Sequence, residues 1–293
     1  MIRLVWLAAC LLCAATALAQ AVECPGGPPG FIKAEGSGCK LWNLCPQLQE
    51  KVMWSGDCVD GFAEGTGVAA SFLAGDPDDR YEGHLRRGKA EGYGVMTWPT
   101  GARYEGAWAK GERNGHGTLT WEDGSRYIGD WRNNEPNGRG VETWADGTRY
   151  EGEFRGYKWH GRGVFTRLNG DRYDGEWRNG RANGRGVMTY SDGLRYEGEW
   201  RNSQFNGRGV YSFVNGAWYE GEVRDHDING YGVMMWPNGA WYKGEWQSGR
   251  PDGPGTLQVD ADTFTGTWRA GCLRLDGRLE ASLITSDAEC NQQ

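Results

Sequence analysis

The feature that most constrains this chain is a tyrosine that returns every 23 residues. Tyr81, Tyr104, Tyr127, Tyr150, Tyr173, Tyr196, Tyr219 and Tyr242 each open a copy of one short unit, as in "YEGEWRNSQFNGRGVYSFVNG" from Tyr196. Self-similarity at a fixed short period dictates a repeat architecture before any other reading is made. Numbering the tyrosine zero, glycine follows at position two in all eight units, and position four is Trp, Phe, Leu or Val. Glycines recur at eleven and thirteen, aromatics at seventeen, and a further glycine at twenty in the first seven units. A worn unit starts at Trp54 ("WSGDCVDGFAEGTGV"), out of phase with the rest, and a truncated one at Phe264 ("FTGTWRAG").

Within a unit the period is two. Tyr, Gly and Trp take the even positions, while Glu and Arg take the odd ones, as in Arg195, Glu197, Glu199 and Arg201. That alternation predicts a strand with one aromatic and one charged face. A second strand such as "GRGVMTY" follows and ends in a glycine turn such as "SDGL", so each unit reads as a β-hairpin. Helix is disfavoured, because each interior glycine costs about 1 kcal/mol relative to alanine. A glycine between two aromatics leaves a floor on which large rings of neighbouring strands can lie, and only a stack of hairpins can bury such rings. Two strands per unit advance roughly 10 Å, so eight units predict an elongated, single-layer antiparallel sheet about 75 Å long. Its open ends need caps.

The termini fit that need. "MIRLVWLAACLLCAATALAQ" has one early Arg, a short apolar run and Ala17-Leu18-Ala19, the pattern of a secretory signal cut after Ala19. "LAAC" resembles a lipoprotein cleavage box, a second reading that would leave a very short signal. Loss of the signal removes Cys10 and Cys13 and leaves Cys24, Cys39, Cys45, Cys58, Cys272 and Cys290. An even number in an exported chain predicts disulfides that secure the ends. Cys272 with Cys290, and Cys39–Cys58 with Cys24–Cys45, is the first pairing, although spacing alone leaves the connectivity open. The organisation expected is a signal at 1–19, a Cys-rich cap at 20–53, an array at 54–271 with eight good repeats over 81–263, and a C-terminal cap at 272–293.

The repeated Tyr-Glu-Gly-x-Trp opening, the Gly-x-Gly and the second aromatic strand closely resemble the MORN repeat (membrane occupation and recognition nexus), here of a bacterial exported type. The resemblance covers residues 54–271. It implies a curved or twisted antiparallel array with a binding, scaffolding or dimer-forming role. Enzyme domains that accompany such repeats in some family members have no counterpart in this sequence, and the chain reads as no enzyme.

Composition narrows the partners. Acids exceed bases, 39 to 32, so the chain has no general attraction to nucleic acid or to anionic lipid. The expected partner is a protein of unstated identity or a second copy, with envelope lipid or glycan on the aromatic face as the alternative. No cofactor or metal is expected. His84, His116, His160 and His226 fall at four different repeat positions, and neither "GDPDDR" (Asp76, Asp78, Asp79) nor "VDADTF" (Asp260, Asp262) matches an EF-hand loop. The Tyr and Trp columns read as core or as a ligand groove, and the charged columns as a solvated face.

Departures from the rule carry more information. Position nine, counted as part of the turn, holds the large apolar residues Trp159, Phe205 and Ile228. They read either as a partner-binding edge or as side chains folded over the adjacent hairpin. Glu142 replaces an apolar residue at fifteen and Arg167 an aromatic at seventeen. An inter-repeat salt bridge between them is expected.

Overall fold

The computed structural model describes residues 29–43, 47, 50–275, 278–283 and 290. The described chain is built of β-strands and tight turns. Its described residues fall in two compact units, one up to Gly161 and the other from Arg162. Among the described residues no helix is long and apolar enough to cross a membrane.

The six repeats opened by Tyr104 to Tyr219 each supply a seven-residue strand and a nine-residue strand, as in Arg172–Arg178 with Arg181–Thr189, or Arg195–Arg201 with Gln204–Ser212. The two join through a two-residue turn at positions six and seven. Both turn residues take positive φ, as at Asn202 (51°) with Ser203 (67°) and Asp225 (50°) with His226 (74°). Such turns match the right-handed twist of the strands. Each of these turns also bonds to the second strand of the preceding hairpin: the N–H of Ser203 donates to Ala182 O at 2.8 Å, and that of Gly249 to Ile228 O at 2.9 Å.

Register then follows a fixed plan. Tyr196 opposes Tyr211, Gly198 opposes Gly209 and Trp200 opposes Phe205, with the register shifting between Gly198 and Trp200. The bulge places Gly207 at φ 80° beneath the Glu199 carboxylate. Glu199 accepts the Arg208 N–H at 3.4 Å, and Glu176 accepts the Arg185 N–H at 3.1 Å. The return turn is held by its own side chains. In the first unit Asp123 Oδ1 accepts the Ser125 N–H at 2.8 Å, and in the second Asn215 Oδ1 accepts that of Ala217 at 3.0 Å.

The first unit opens with a cap. Strands Gly30–Lys33 and Lys40–Asn43 form an antiparallel hairpin, and Cys39 is disulfide-bonded to Cys58. The Trp42 N–H donates to Gly88 O at 2.7 Å, and Lys89 Nζ lies 4.0 Å from the centre of the Trp42 ring. Trp54 does a tyrosine's work in the worn first hairpin. Its ring lies where a Cβ on Gly56 or Gly67 would have to go, and its indole donates to Asp57 O at 2.8 Å. The second unit ends on buried Trp268 and a Cys272–Cys290 disulfide. Cys24 and Cys45 lie outside the described residues, as does the expected signal segment.

Candidate interaction site

The aromatic face is used up by the fold. Every repeat tyrosine is buried, and its hydroxyl donates to the backbone carbonyl three residues on, as Tyr104 does to Ala107 (3.0 Å) and Tyr196 to Glu199 (3.0 Å). The ring lies across a floor of two glycines: a Cβ on Gly186 would stand 2.4 Å from Tyr173 Oη, and one on Gly209 2.5 Å from Tyr196. The position-four tryptophans lean back over the same floor. Trp200 Nε1 donates to Gly186 O at 3.1 Å and Trp131 Nε1 to Gly117 O at 3.2 Å, each carbonyl belonging to the preceding repeat. Tyr and Trp therefore alternate edge to face, with Tyr104–Trp131 centroids at 5.3 Å in the first unit and Tyr173–Trp200 at 4.6 Å in the second. Each such ring contributes roughly 1.5–3 kcal/mol by burial and about 0.5–1.5 kcal/mol by ring geometry. Burial also pushes the phenols up, that of Tyr104 to about 12.

Position nine belongs to this core and not to an exposed edge. Trp159, Phe205 and Ile228 are 3%, 4% and 2% exposed. The reason is the two-residue turn: position nine is already on the second strand, directly opposite position four, as Trp200↔Phe205 and Val223↔Ile228 show. Its side chain therefore points to the aromatic face. Trp159 stacks on Tyr150 at 4.5 Å and 7°, and Phe205 on Tyr196 at 4.0 Å and 17°. The reading of these three residues as a partner-binding edge is corrected accordingly.

Arg113 occupies the same position in the first unit. Its guanidinium lies 4.4 Å from the centre of the Trp131 ring and donates to Asn134 O at 2.8 Å. Sequence reading missed it, although its place at position nine was the available signal. Glu142, 3% exposed, accepts from Trp159 Nε1 at 3.2 Å, and burial raises its carboxyl to about 7. Arg167 lies 3.7 Å from Asp171. Glu142 and Arg167 thus each meet a partner inside their own unit.

The remaining candidates stay apart. His116 faces Asp130 at 3.5 Å, while His226 packs on Phe205 at 4.6 Å with its pKa lowered by burial. Among the described residues no group of three or more His, Cys, Asp or Glu could hold a metal ion. Asp78 Oδ2 accepts from the Ser71 hydroxyl at 3.4 Å, whose oxygen accepts the Asp79 N–H at 2.9 Å. Burial, with Asp78 and Glu50 nearby, lifts Asp79 to about 7.

The opposite face is polar and regular. Arginines before the tyrosine pair with acids after it, as Arg149–Glu151 at 2.6 Å in the first unit and Arg172–Asp174 at 2.7 Å in the second. Position-twelve arginines oppose position-three acids across strands: Arg139↔Glu153, Arg185↔Glu199 and Arg208↔Glu222. In the second unit an open hollow of about 420 Å³ lies between Glu199, Arg208, Glu222 and Arg224. In the first, exposed Tyr93 donates to Glu105 at 2.7 Å, and that bond with Arg103 holds the Glu105 carboxyl low.

The MORN repeat family model matches residues 81–103, 104–126, 127–149, 150–172, 173–195, 196–218, 219–241 and 242–258. No curated protein matches the chain. Among solved structures, the TCP domain of SAS-4 (dCPAP) from Drosophila melanogaster, in complex with a proline-rich motif of Ana2, is 10% identical. The match covers 53% of this chain and 85% of that one, with TM-score 0.35. The G-box domain of the microcephaly protein CPAP is 12% identical over 67% of this chain and 94% of that one, with TM-score 0.37. The TCP10 domain of Danio rerio CPAP is 14% identical over 66% and 84%, with TM-score 0.25.

Proposed function

The chain belongs to the MORN repeat family, and from that premise we propose that it is an exported, non-catalytic repeat scaffold that mediates protein–protein contacts. One observation carries the reading. The tyrosine hydroxyls and the position-four indoles are bonded within the fold, so what differs between repeats and remains accessible is the charged face with its turn edges. Charged, patterned surfaces of this kind favour specificity and steering over bulk affinity. Export is supported by the N-terminal apolar segment and by two disulfides, which persist in oxidising compartments.

A second reading rests on a separate observation. The position-seventeen rings, Trp98, Trp121 and Trp144 in the first unit and Tyr190, Phe213 and Trp236 in the second, are only half-buried. A row of such rings suits envelope glycan or lipid. Crosslinking of the mature protein in its own compartment, followed by mass spectrometry, separates the two. A discrete foreign protein in the crosslinked species is the expected result. Recovery of envelope lipid or glycan alone would overturn the protein scaffold in favour of the second reading.

A further inference from the structure

On the outward face of the second unit charges are mostly matched, but at Arg178 and Arg181 two cations stand opposite each other. Arg172 and Arg195 are paired with Asp174 and Glu197 along their own strands, and Arg185 and Arg208 stand opposite Glu199 and Glu222. Across the two-residue turn, Arg224 opposes Asp227. At the same positions in the repeat of Tyr173, however, Arg178 opposes Arg181, and in the next repeat Arg201 opposes Gln204. All three arginines are exposed.

Two hydrogen bonds lay the turn after Arg201 beside the hairpin of Arg178 and Arg181. The Ser203 N–H donates to Ala182 O at 2.8 Å and the Asn202 N–H to Asn183 Oδ1 at 3.3 Å, so the turn after Arg201 is laid against the strand that begins at Arg181. Three acids on that face have partners of their own, Glu199 among them, which accepts the Arg208 N–H. Glu176 holds the Arg185 N–H over the bulge, and Asp174 holds Arg172. Like charges directly opposite on a hairpin destabilise it. A bound anion removes that cost, and guanidinium forks suit planar carboxylates in particular.

We infer that the edge formed by Arg178, Arg181 and Arg201 is a docking site for a short acidic segment of a partner protein. The inference rests on the scaffold reading and names the chemistry of one contact within it. The net charge of −7 decides the size of the occupant. A long polyanion or a flat anionic membrane meets the surrounding acids as well as the three arginines, whereas a short carboxylate segment meets the local field alone.

Fluorescein-labelled hexaglutamate titrated into the full chain tests this directly. The peptide is expected to bind saturably, one per chain, at about 50 mM salt and to be released near 300 mM, as screening requires. The triple variant Arg178→Ser/Arg181→Ser/Arg201→Ser should weaken it by about tenfold or more, since hydrogen bonds to charged groups are lost. Its melting temperature should hold, because these side chains are exposed. Arg172→Ser/Arg195→Ser, which removes cations already matched by acids, should leave binding near the wild-type level. Absence of saturable binding overturns the proposal, as does an equal loss in the control variant. Displacement of the peptide by inorganic phosphate at equal concentration, or binding of phosphatidylserine vesicles without the peptide, points to another anion and overturns it too. So does salt-sensitive self-association that the triple variant abolishes while the peptide fails to bind. A crosslinked protein partner that survives in the triple variant would reject this edge and leave the scaffold reading standing.

Discussion

Replacing Glu142 with glutamine should stabilise the first unit, and by an amount that grows with pH. The column it occupies holds Leu119 in the preceding repeat, so a carboxyl stands where a hydrocarbon belongs. It accepts a hydrogen bond from Trp159 Nε1, and burial raises it from 4.5 to about 7. The folded state therefore favours the neutral acid. Below about pH 4.5 the group is protonated in both states and its stabilisation is fully present; that stabilisation is lost as pH rises towards 7. At about 1.4 kcal/mol for each pH unit, the loss comes to roughly 3 kcal/mol. Glutamine keeps the shape and the acceptor for Trp159 but cannot ionise. The variant should thus match wild type within about 1 kcal/mol near pH 4.5 and exceed it by roughly 3 kcal/mol at pH 8. In a repeat array such effects are felt most by nearest neighbours. Hydrogen exchange over residues 135–158, with both proteins compared at the same pH, is therefore the sharpest assay, and urea midpoints followed by tryptophan fluorescence support it. A difference between variant and wild type that does not change with pH would refute the reasoning, because it would mean that the carboxylate is solvated in the fold.

Other consequences follow from the same geometry. Trp159→Ala should destabilise the first unit by about 3–5 kcal/mol in thermal or urea unfolding; unchanged stability would return Trp159 to the surface. Gly186→Ala forces a methyl to within 2.4 Å of Tyr173 Oη and should cost at least about 1–3 kcal/mol, whereas a Cβ at Gly124 meets nothing within 4 Å, so alanine there should cost only about 1–2 kcal/mol of backbone strain. Trp200→Phe keeps one aromatic ring but removes the bond to Gly186 O and the rest of a buried indole, a loss of at least about 1 kcal/mol by equilibrium unfolding. Cys272→Ser opens a crosslink that spans 18 residues, worth about 3 kcal/mol; faster limited proteolysis of the C-terminal cap, with the remaining repeats intact, is the expected readout.

The division between sequence and structure is visible in single residues. The period of 23, the alternation around each tyrosine and the glycine floor are written in the chain, because strand parity and ring size depend only on local order. Trp159, Phe205 and Ile228 were misplaced because one question, whether the turn is two residues or longer, moves position nine from a loop to a strand opposite position four. That is settled by the positive φ at both turn residues and by the bonds from each turn to the second strand of the preceding hairpin. The same shift hid Arg113, which reads as a surface charge until the ring of Trp131 lies beneath it.

By itself, then, the sequence determined a β-hairpin array, its repeat length, its aromatic and charged faces, and cysteines at its ends. Which of the charges find partners was decided only by the tertiary structure. Glu142 is alike in kind to the many surface acids, yet it lies under Trp159; Arg178 is alike to Arg224, yet it faces Arg181 in place of an acid. The physical reason is that hydrophobic patterning acts residue by residue along a strand, whereas the energy of a charge depends on what stands a few ångströms away across the sheet, which turn length and strand pairing decide.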